Sequence, residues 1–390
     1  MSELDRWRED PEAFWLEQAS RLAWTRPPST ALERHPDGSW TWFPDGEINV
    51  CALALDHHVE HGRADQTALI YDSPVTGAKR TFTYRQLRDE VARLAGALRA
   101  LGVGRGDRVV VYMPMVPEAA MAMLACARLG AVHSVVFGGF APPELATRID
   151  DATPRALLTA SCGIEGSRVI PYLPLVREAL AHAAHPPAHV VVLERPEAPV
   201  QLDGDELDWH TLVRTAQPAE PVPVGSAEPL YVLYTSGTTG KPKGVVRDHG
   251  GHATALRYSM EAVYGAAPGQ VFWAASDVGW VVGHSYIVYA PLITGCTTVL
   301  YEGKPVKTPD AAAFWRVIAE HRVSVFFTAP TAFRAIRKED PDARGLEGHD
   351  LSCLDAIFVA GERLDPPTLA WLQQHTGKPV LDHWWQTETG

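Results

Sequence analysis

The chain has 390 residues, 46% of them hydrophobic and 21% charged, enough for at least two buried cores and ordinary for a soluble globular protein. Its formal charge of −12 argues against a nucleic-acid partner, which calls for a basic face, yet leaves room for a local basic pocket that holds phosphates. Five scattered cysteines without a C-x-x-C pair fit reduced structural thiols better than a disulfide frame or zinc site, the acidic start lacks the apolar core of a secretion signal and no apolar run approaches membrane-spanning length, so a cytoplasmic location with no membrane partner is expected.

Residues 1–60, rich in Trp, Pro and acids with weak periodicity, are expected to form an irregular N-terminal layer on the main body. A first α/β subdomain is expected over 61–225. Thr83 and Gln86 form a capping box, Leu87, Val91, Leu94, Leu98 and Leu101 follow at helical spacing, and Gly102 stands where a helix-ending glycine belongs. Then come a strand RVVVYMP (108–114), a helix over 117–129, a strand AVHSVVF (131–137), a helix from Pro142 and a strand ALLTA (156–160). Strands apolar on both faces that alternate with helices predict a parallel sheet covered on two sides.

The Pro-rich stretch QPAEPVP (217–223) is the candidate linker to a second subdomain over 226–390. Its predicted elements are strands at 231–236, 271–276, 297–302, 323–330, 356–362 and 379–385, with helices over 309–321 and 366–375. The fold class is thus α/β, with two tandem subdomains of mainly parallel sheet flanked by helices.

The sharpest local signal is TSGTTGKPKG (235–244), directly after a strand. Three glycines let the backbone turn and aim its amides at an anion, hydroxyls add donors, and Lys241 and Lys243 add positive charge. It departs from the Walker A pattern, with Thr235 where a glycine is required and Pro242 directly after Lys241. A plain surface turn is the alternative reading.

The segment resembles the phosphate-loop signature of the adenylate-forming superfamily. AVHSVVFGGF (131–140), SDVGWVVGHSYIVYAPL (276–292), TAPTAFRAIR (328–337), AGE (360–362) and DHWWQTETG (382–390) resemble its acetyl- and propionyl-CoA synthetase branch. GVVRDHGGH (244–252) and GIEGSRVIPYLPLV (163–176) are similar to the propionyl-CoA synthetases. The resemblance runs from about Val50 to the last residue. It implies an AMP-forming ligase that uses ATP, Mg²⁺ and coenzyme A to activate a short carboxylic acid, propionate first and acetate as the alternative. Small molecules are then its partners.

Carried over by position, the resemblance implies these roles. Thr235, Ser236, Gly237, Thr238, Thr239, Gly240 and Lys241 would hold the β- and γ-phosphates, with Lys243 beside them as a catalytic cation. Gly361 and Glu362 would form one side of an adenine slot, and Asp382, His383, Trp384 and Gln386 the other. Thr387 would donate to the α-phosphate, and Glu388 would hold Mg²⁺, a hard cation suited to a carboxylate plus phosphate oxygens. A solvated surface acid is the other reading of Glu388. Trp385 would floor the acyl pocket, with Val281 and Val282 lining it; a core aromatic is the alternative for Trp385. Ala360 stands where acetate-specific members resemble one another in carrying valine, which is the reason for preferring propionate. Arg168 matches an arginine near the CoA nucleotide, but Glu165 replaces a second one. His284 is read as structural, because a carboxylate substrate is already ionised and needs no base. The pocket segment 278–286 has no anionic partner for an amino group, which disfavours a peptide-synthetase adenylation domain. Family members continue past the position of Gly390 with a ribose-binding motif and a C-terminal domain that carries a lysine. The chain is therefore expected to be the front part of such an enzyme, weak or inactive alone.

Overall fold

Alternation of Val-rich strands with amphipathic helices produces two seven-stranded, mainly parallel sheets. The computed structural model describes residues 3–235 and 242–389. The N-terminal layer contains helices Glu3–Glu9 and Pro11–Ala19, the second capped by the Asp10 carboxylate, which accepts the Ala13 N–H at 3.0 Å. A hairpin of β1 (Leu32–Arg34) and β2 (Trp40–Trp42) and a short β3 (Glu47–Ile48) complete it. Phe14 and Trp15 set ring edges against Tyr258 at 5.6 and 5.4 Å and so fasten the layer to the helix Gly250–Ala262.

Next in chain order come β4 (Thr67–Ser73), β5 (Ala78–Thr83), β6 (Arg108–Tyr112), β7 (Val132–Val135) and β8 (Ala156–Ala160). They are followed by a hairpin of β9 (Cys162–Glu165) and β10 (Arg168–Pro171), then β11 (His189–Leu193), β12 (Glu206–Asp208) and β13 (Val224–Gly225), which pairs with β3. The remaining strands are β14 (Pro229–Thr235), β15 (Lys243–Asp248), β16 (Val271–Ala275), β17 (Thr297–Tyr301), β18 (Val323–Thr328), β19 (Ala356–Val359) and β20 (Val380–Asp382). The first sheet runs β12-β11-β8-β6-β7-β14-β15 and the second β20-β19-β18-β16-β17-β4-β5, with β15 and β5 as antiparallel edges.

The expected boundary at 225/226 therefore does not separate the sheets. The early strands β4 and β5 complete the later sheet, while β14 and β15 complete the earlier one. Nor is 217–223 a free linker. Arg128 Nε donates to the Ala219 carbonyl at 2.6 Å and Asn49 Nδ2 to that of Val222 at 2.8 Å, so a prolyl stretch short of donors is held by side chains of the body.

Local signals fared better. The Thr83–Gln86 capping box is present at the head of helix Tyr84–Ala100, and Gly102 takes a φ of +81° beyond its end. The helix expected from 309 begins later, at Ala313, because the Asp310 carboxylate accepts the Ala312 N–H at 2.8 Å and holds a turn there. Cys51, Cys126, Cys162 and Cys296 are buried and free, and burial pushes the thiols of Cys51, Cys126 and Cys296 up to about 12.

Candidate active site

Parallel sheets gather ligand-facing groups where their strands end. Here β19 and β20 lie side by side, Val359 opposite Asp382, so 360–364 and 382–384 leave the sheet together. The Asp382 carboxylate accepts the Leu364 N–H at 3.0 Å and binds the two exits. Gly361 has a φ of +103°, a conformation that suits glycine, and Glu362 is ion-paired with Arg334.

His383 anchors the chain as it leaves β20. Its backbone N–H donates to the Val359 carbonyl at 3.0 Å, and its Nδ1 lies 2.9 Å from the same oxygen. With Nδ1 as donor, Nε2 accepts the Tyr264 hydroxyl at 2.9 Å. Burial lowers the pKa of this ring, in keeping with a neutral imidazole. Extended backbone then alternates: Trp384 is 75% exposed, while Trp385 turns inward onto Tyr286 and Phe327, at centroid distances of 5.5 and 6.0 Å. Residues 386–389 close a turn, in which Gln386 N–H donates to Thr389 Oγ1 at 3.1 Å and Thr389 N–H to the Gln386 carbonyl at 3.2 Å. Glu388 lies exposed on this turn and makes no hydrogen bond or ion pair with the described residues.

From the other sheet, β14 and β15 present the ends of the glycine-rich segment. Half-buried Thr235 pairs in register with exposed Lys243. Ser236, Gly237, Thr238, Thr239, Gly240 and Lys241 lie outside the described residues. Arg247, also on β15, reaches across: its Nη2 donates to the Thr387 carbonyl at 2.7 Å and links the base of that hairpin to the 386–389 turn. Sequence reasoning gives Arg247 no role, although it lies within GVVRDHGGH; the signal for it is an arginine four residues after Lys243 on the strand that leaves the loop. Nothing local marks Tyr264, whose contact with His383 spans 119 residues.

Of the residues expected to bound the acyl group, Val281 and Ala360 are buried in one core cluster, and Val282 and Trp385 pack partly exposed against it. A tight bend precedes the π-helical segment Gly283–Tyr289: a Cβ at Gly283 would lie 2.1 Å from the Asp277 carbonyl, so only glycine fits. His284 is buried with Nδ1 3.0 Å from the Trp280 carbonyl, and burial drives its pKa to about 4. A neutral, enclosed ring agrees with a structural residue.

Beside this region lies a cavity of about 660 Å³, walled by the ends of β6, β7, β16 and β18. Gly138, Gly139, Asp277 and Trp280 line its interior, and Glu165 and Lys304 also contribute to its lining. Arg168 stands apart from the 361–388 group, exposed on β10 opposite Glu165 in register. Among the described residues the one acid–histidine group with metal-like spacing, Asp72, Glu320 and His321, is occupied by ion pairs from Arg316 and Lys79.

This arrangement, a cleft at converging strand ends beside a glycine-rich hairpin, belongs to a known class. Residues 55–390 match the model of the AMP-binding enzyme family, and the chain belongs to that family. Residues 2–54 match the acetyl-coenzyme A synthetase N-terminus. Among its relatives, an uncharacterised protein of Pseudomonas aeruginosa is 65% identical, covering 98% of this chain and 61% of that protein. The mitochondrial acyl-CoA synthetase short-chain family member 3 of Bos taurus is 54% identical over 98% of this chain and 56% of its own length. Propionate–CoA ligase of Salmonella typhimurium is 48% identical, covering 98% and 60%. The solved acetoacetyl-CoA synthetase from Streptomyces lividans superposes with a TM-score of 0.88 at 28% identity, over 97% of this chain and 58% of that one. The chain thus spans less than two thirds of the length of each of these proteins. No helix among the described residues is long and apolar enough to cross a membrane.

Proposed function

We propose that this chain carries the nucleotide and acyl sites of an AMP-forming short-chain acyl-CoA synthetase, which joins propionate to AMP and then passes the acyl group to CoA. The observation that carries the reading is the Arg247–Thr387 link between the hairpin of the glycine-rich segment and the segment 382–389, both at strand ends. Two anions, a carboxylate and a triphosphate, must be brought together, and the cations and donors of these two segments would supply what that needs. The 235–241 segment with Lys243 would neutralise the outer phosphates. Gly361 and Glu362 with Asp382, His383, Trp384 and Gln386 would hold the adenine, and Thr387 the α-phosphate.

Glu388 fits Mg²⁺ in chemistry, as an exposed carboxylate that makes no ion pair among the described residues, since this ion takes one or two carboxylates plus phosphate oxygens. The ion would supply charge neutralisation at the phosphates. Trp385, Val281, Val282 and Ala360 would bound the acyl group, Ala360 leaving space for one carbon more than valine allows. Relatives named for propionate support this choice over acetate. The cavity would take the thiol arm of CoA, Arg168 would lie near its nucleotide, and the setting would be cytoplasmic.

A domain division at about 225, with the nucleotide site in the later part, remains a proposal for the binding halves rather than for the sheets. A second reading is nucleotide binding without turnover. Titration calorimetry with ATP, AMP and CoA, beside acid-dependent pyrophosphate exchange, tests both. Exchange that peaks at propionate supports the first reading; AMP binding without exchange supports the second. Best exchange with acids of about six carbons or more overturns the pocket assignment.

A further inference from the structure

Charged groups from two segments, the β9–β10 hairpin and the loop after β17, meet at one edge of the cavity. Glu165 ends β9, Gly166 turns the hairpin at a φ of +60°, and Arg168 opens β10 directly across from Glu165. From the opposite wall comes Lys304, whose Nζ lies 3.5 Å from Glu165 Oε1. Glu165 and Lys304 both line the cavity, and both side chains stay more than half exposed, at 63% and 53%.

The position of Lys304 is built with care from beneath. Two residues earlier, buried Glu302 accepts from the hydroxyls of Tyr71 (2.5 Å) and Ser73 (2.8 Å) on β4 and from Arg195 at 2.7 and 3.0 Å. Arg195 follows β11, so this buried network ties the first sheet to the second. Lys304 N–H donates to Thr308 Oγ1 at 2.6 Å, and its carbonyl accepts the Thr308 hydroxyl at 2.8 Å. A Cβ at Gly303 would meet the Tyr301 ring at 2.6 Å, which leaves the bend no slack. A fixed backbone thus presents a flexible cation to the cavity edge.

An exposed pair of this kind adds little stability, about 0–1 kcal/mol, so a stronger anion can displace the carboxylate. A phosphate monoester brings about −1.5 to −2 charges against the single charge of Glu165. We infer that Lys304 is the cation that receives the phosphates of the thiol co-substrate at this cavity edge, and that Glu165 is its built-in competitor. The inference rests on the CoA reading proposed above. It also accounts for an acid beside Arg168: the site trades affinity for a counter-ion that keeps the Lys304 ammonium paired until the phosphates arrive.

Calorimetry on the 390-residue chain with CoA, 3′-dephospho-CoA and pantetheine tests this. Glu165→Gln is expected to tighten CoA about three- to fivefold, and Lys304→Gln to weaken it about tenfold, with both effects shrinking at high salt. In the Lys304→Gln background Glu165→Gln should change nothing, and pantetheine, which has no phosphate, should be indifferent to every variant. Lys304→Arg should keep CoA binding, and unchanged AMP affinity reports an intact fold. If Glu165→Gln leaves CoA binding unaltered, or shifts pantetheine equally, the pair is a structural tie and the inference falls. If the unaltered chain binds AMP but no CoA, the CoA reading itself falls and takes this inference with it.

Discussion

Acidification from about pH 7.5 to about pH 5.5 should destabilise this protein through five buried histidines, one of them His58, which burial lowers to about 4. His133, His249, His252 and His284 are all enclosed, with His133 stacked on Tyr231 and His284, each at 5.4 Å, and Tyr231 set edge-on to His252 at 5.4 Å. Burial is the main cause of the shift in each: it lowers His249 and His284 to about 4, His252 to about 3, and His133 well below its ordinary value. Arg247 beside His252 adds to the effect, and Glu228 near His249 opposes it. A histidine depressed in the folded state binds its proton preferentially when unfolded, so its stabilisation is whole above about pH 6.5 and drains away as pH falls toward the folded value. At about pH 5.5 each ring costs about 1.4 kcal/mol, and the five together about 7 kcal/mol, a large share of a typical 5–15 kcal/mol stability. Asp248 and Asp277, whose pKa values burial raises, take up protons in the folded state and offset part of this. Urea unfolding at the two pH values measures the difference. Replacing one ring by an amide of similar reach, His284→Asn, should remove about a fifth of it. Stability that changed by under about 1 kcal/mol across the interval would refute the argument.

Trp385→Gly should move pyrophosphate exchange toward longer acids and cut that with propionate about 10- to 100-fold, since a small acid loses alignment in the widened pocket; an unchanged chain-length profile with lower stability would make Trp385 a core residue. Ala360→Val should shift preference toward acetate by roughly 10-fold or more in the same assay. Arg247→Leu removes the bond to the Thr387 carbonyl and should weaken AMP binding about tenfold by calorimetry, whereas unaltered affinity would show that the turn holds itself. Glu302→Ala leaves buried Arg195 with only the longer pair to Glu197 at 3.6 Å and should cost about 3 kcal/mol of unfolding free energy, with Glu302→Gln milder; equal losses would mean that packing rather than charge pairing holds the two sheets together there.

Features written in neighbouring residues are legible in the sequence. The capping box at Thr83 and Gln86, the helix at Pro117–Leu129 and the Val-rich strands depend on contacts within a few residues, so spacing reveals them. The resemblance also names segments that the fold brings to adjoining strand ends, 360–362 and 382–388 among them. Pairings between distant segments are not legible in this way. No local pattern states that β4 lies against β17, or that Arg247 meets the carbonyl of Thr387, 140 residues on. The stretch 217–223 reads as a linker because prolines mark broken secondary structure. They say nothing of Asn49 and Arg128, which supply donors to its carbonyls. The helix after Pro309 starts four residues later than the sequence suggests for a similar reason, since proline permits a helix start without requiring one.

The exchange of strands between the two sheets bears on how the chain is made. On the ribosome, β4 and β5 emerge long before the strand that receives them, for Thr297 donates its hydroxyl to the carbonyl of Thr67 across 230 residues. Until β17 arrives, the hairpin has an unpaired edge, and such edges invite association with other nascent chains. The first sheet in turn waits for β14 and β15 to cover β7. The first sheet can close once β15 is made, but the second draws on both ends of the chain, so its folding must be late and of high contact order, with chaperone dependence during synthesis as its natural accompaniment. Cutting the gene near codon 225 would yield two pieces that each lack strands held by the other, and only their joint expression should restore a soluble product.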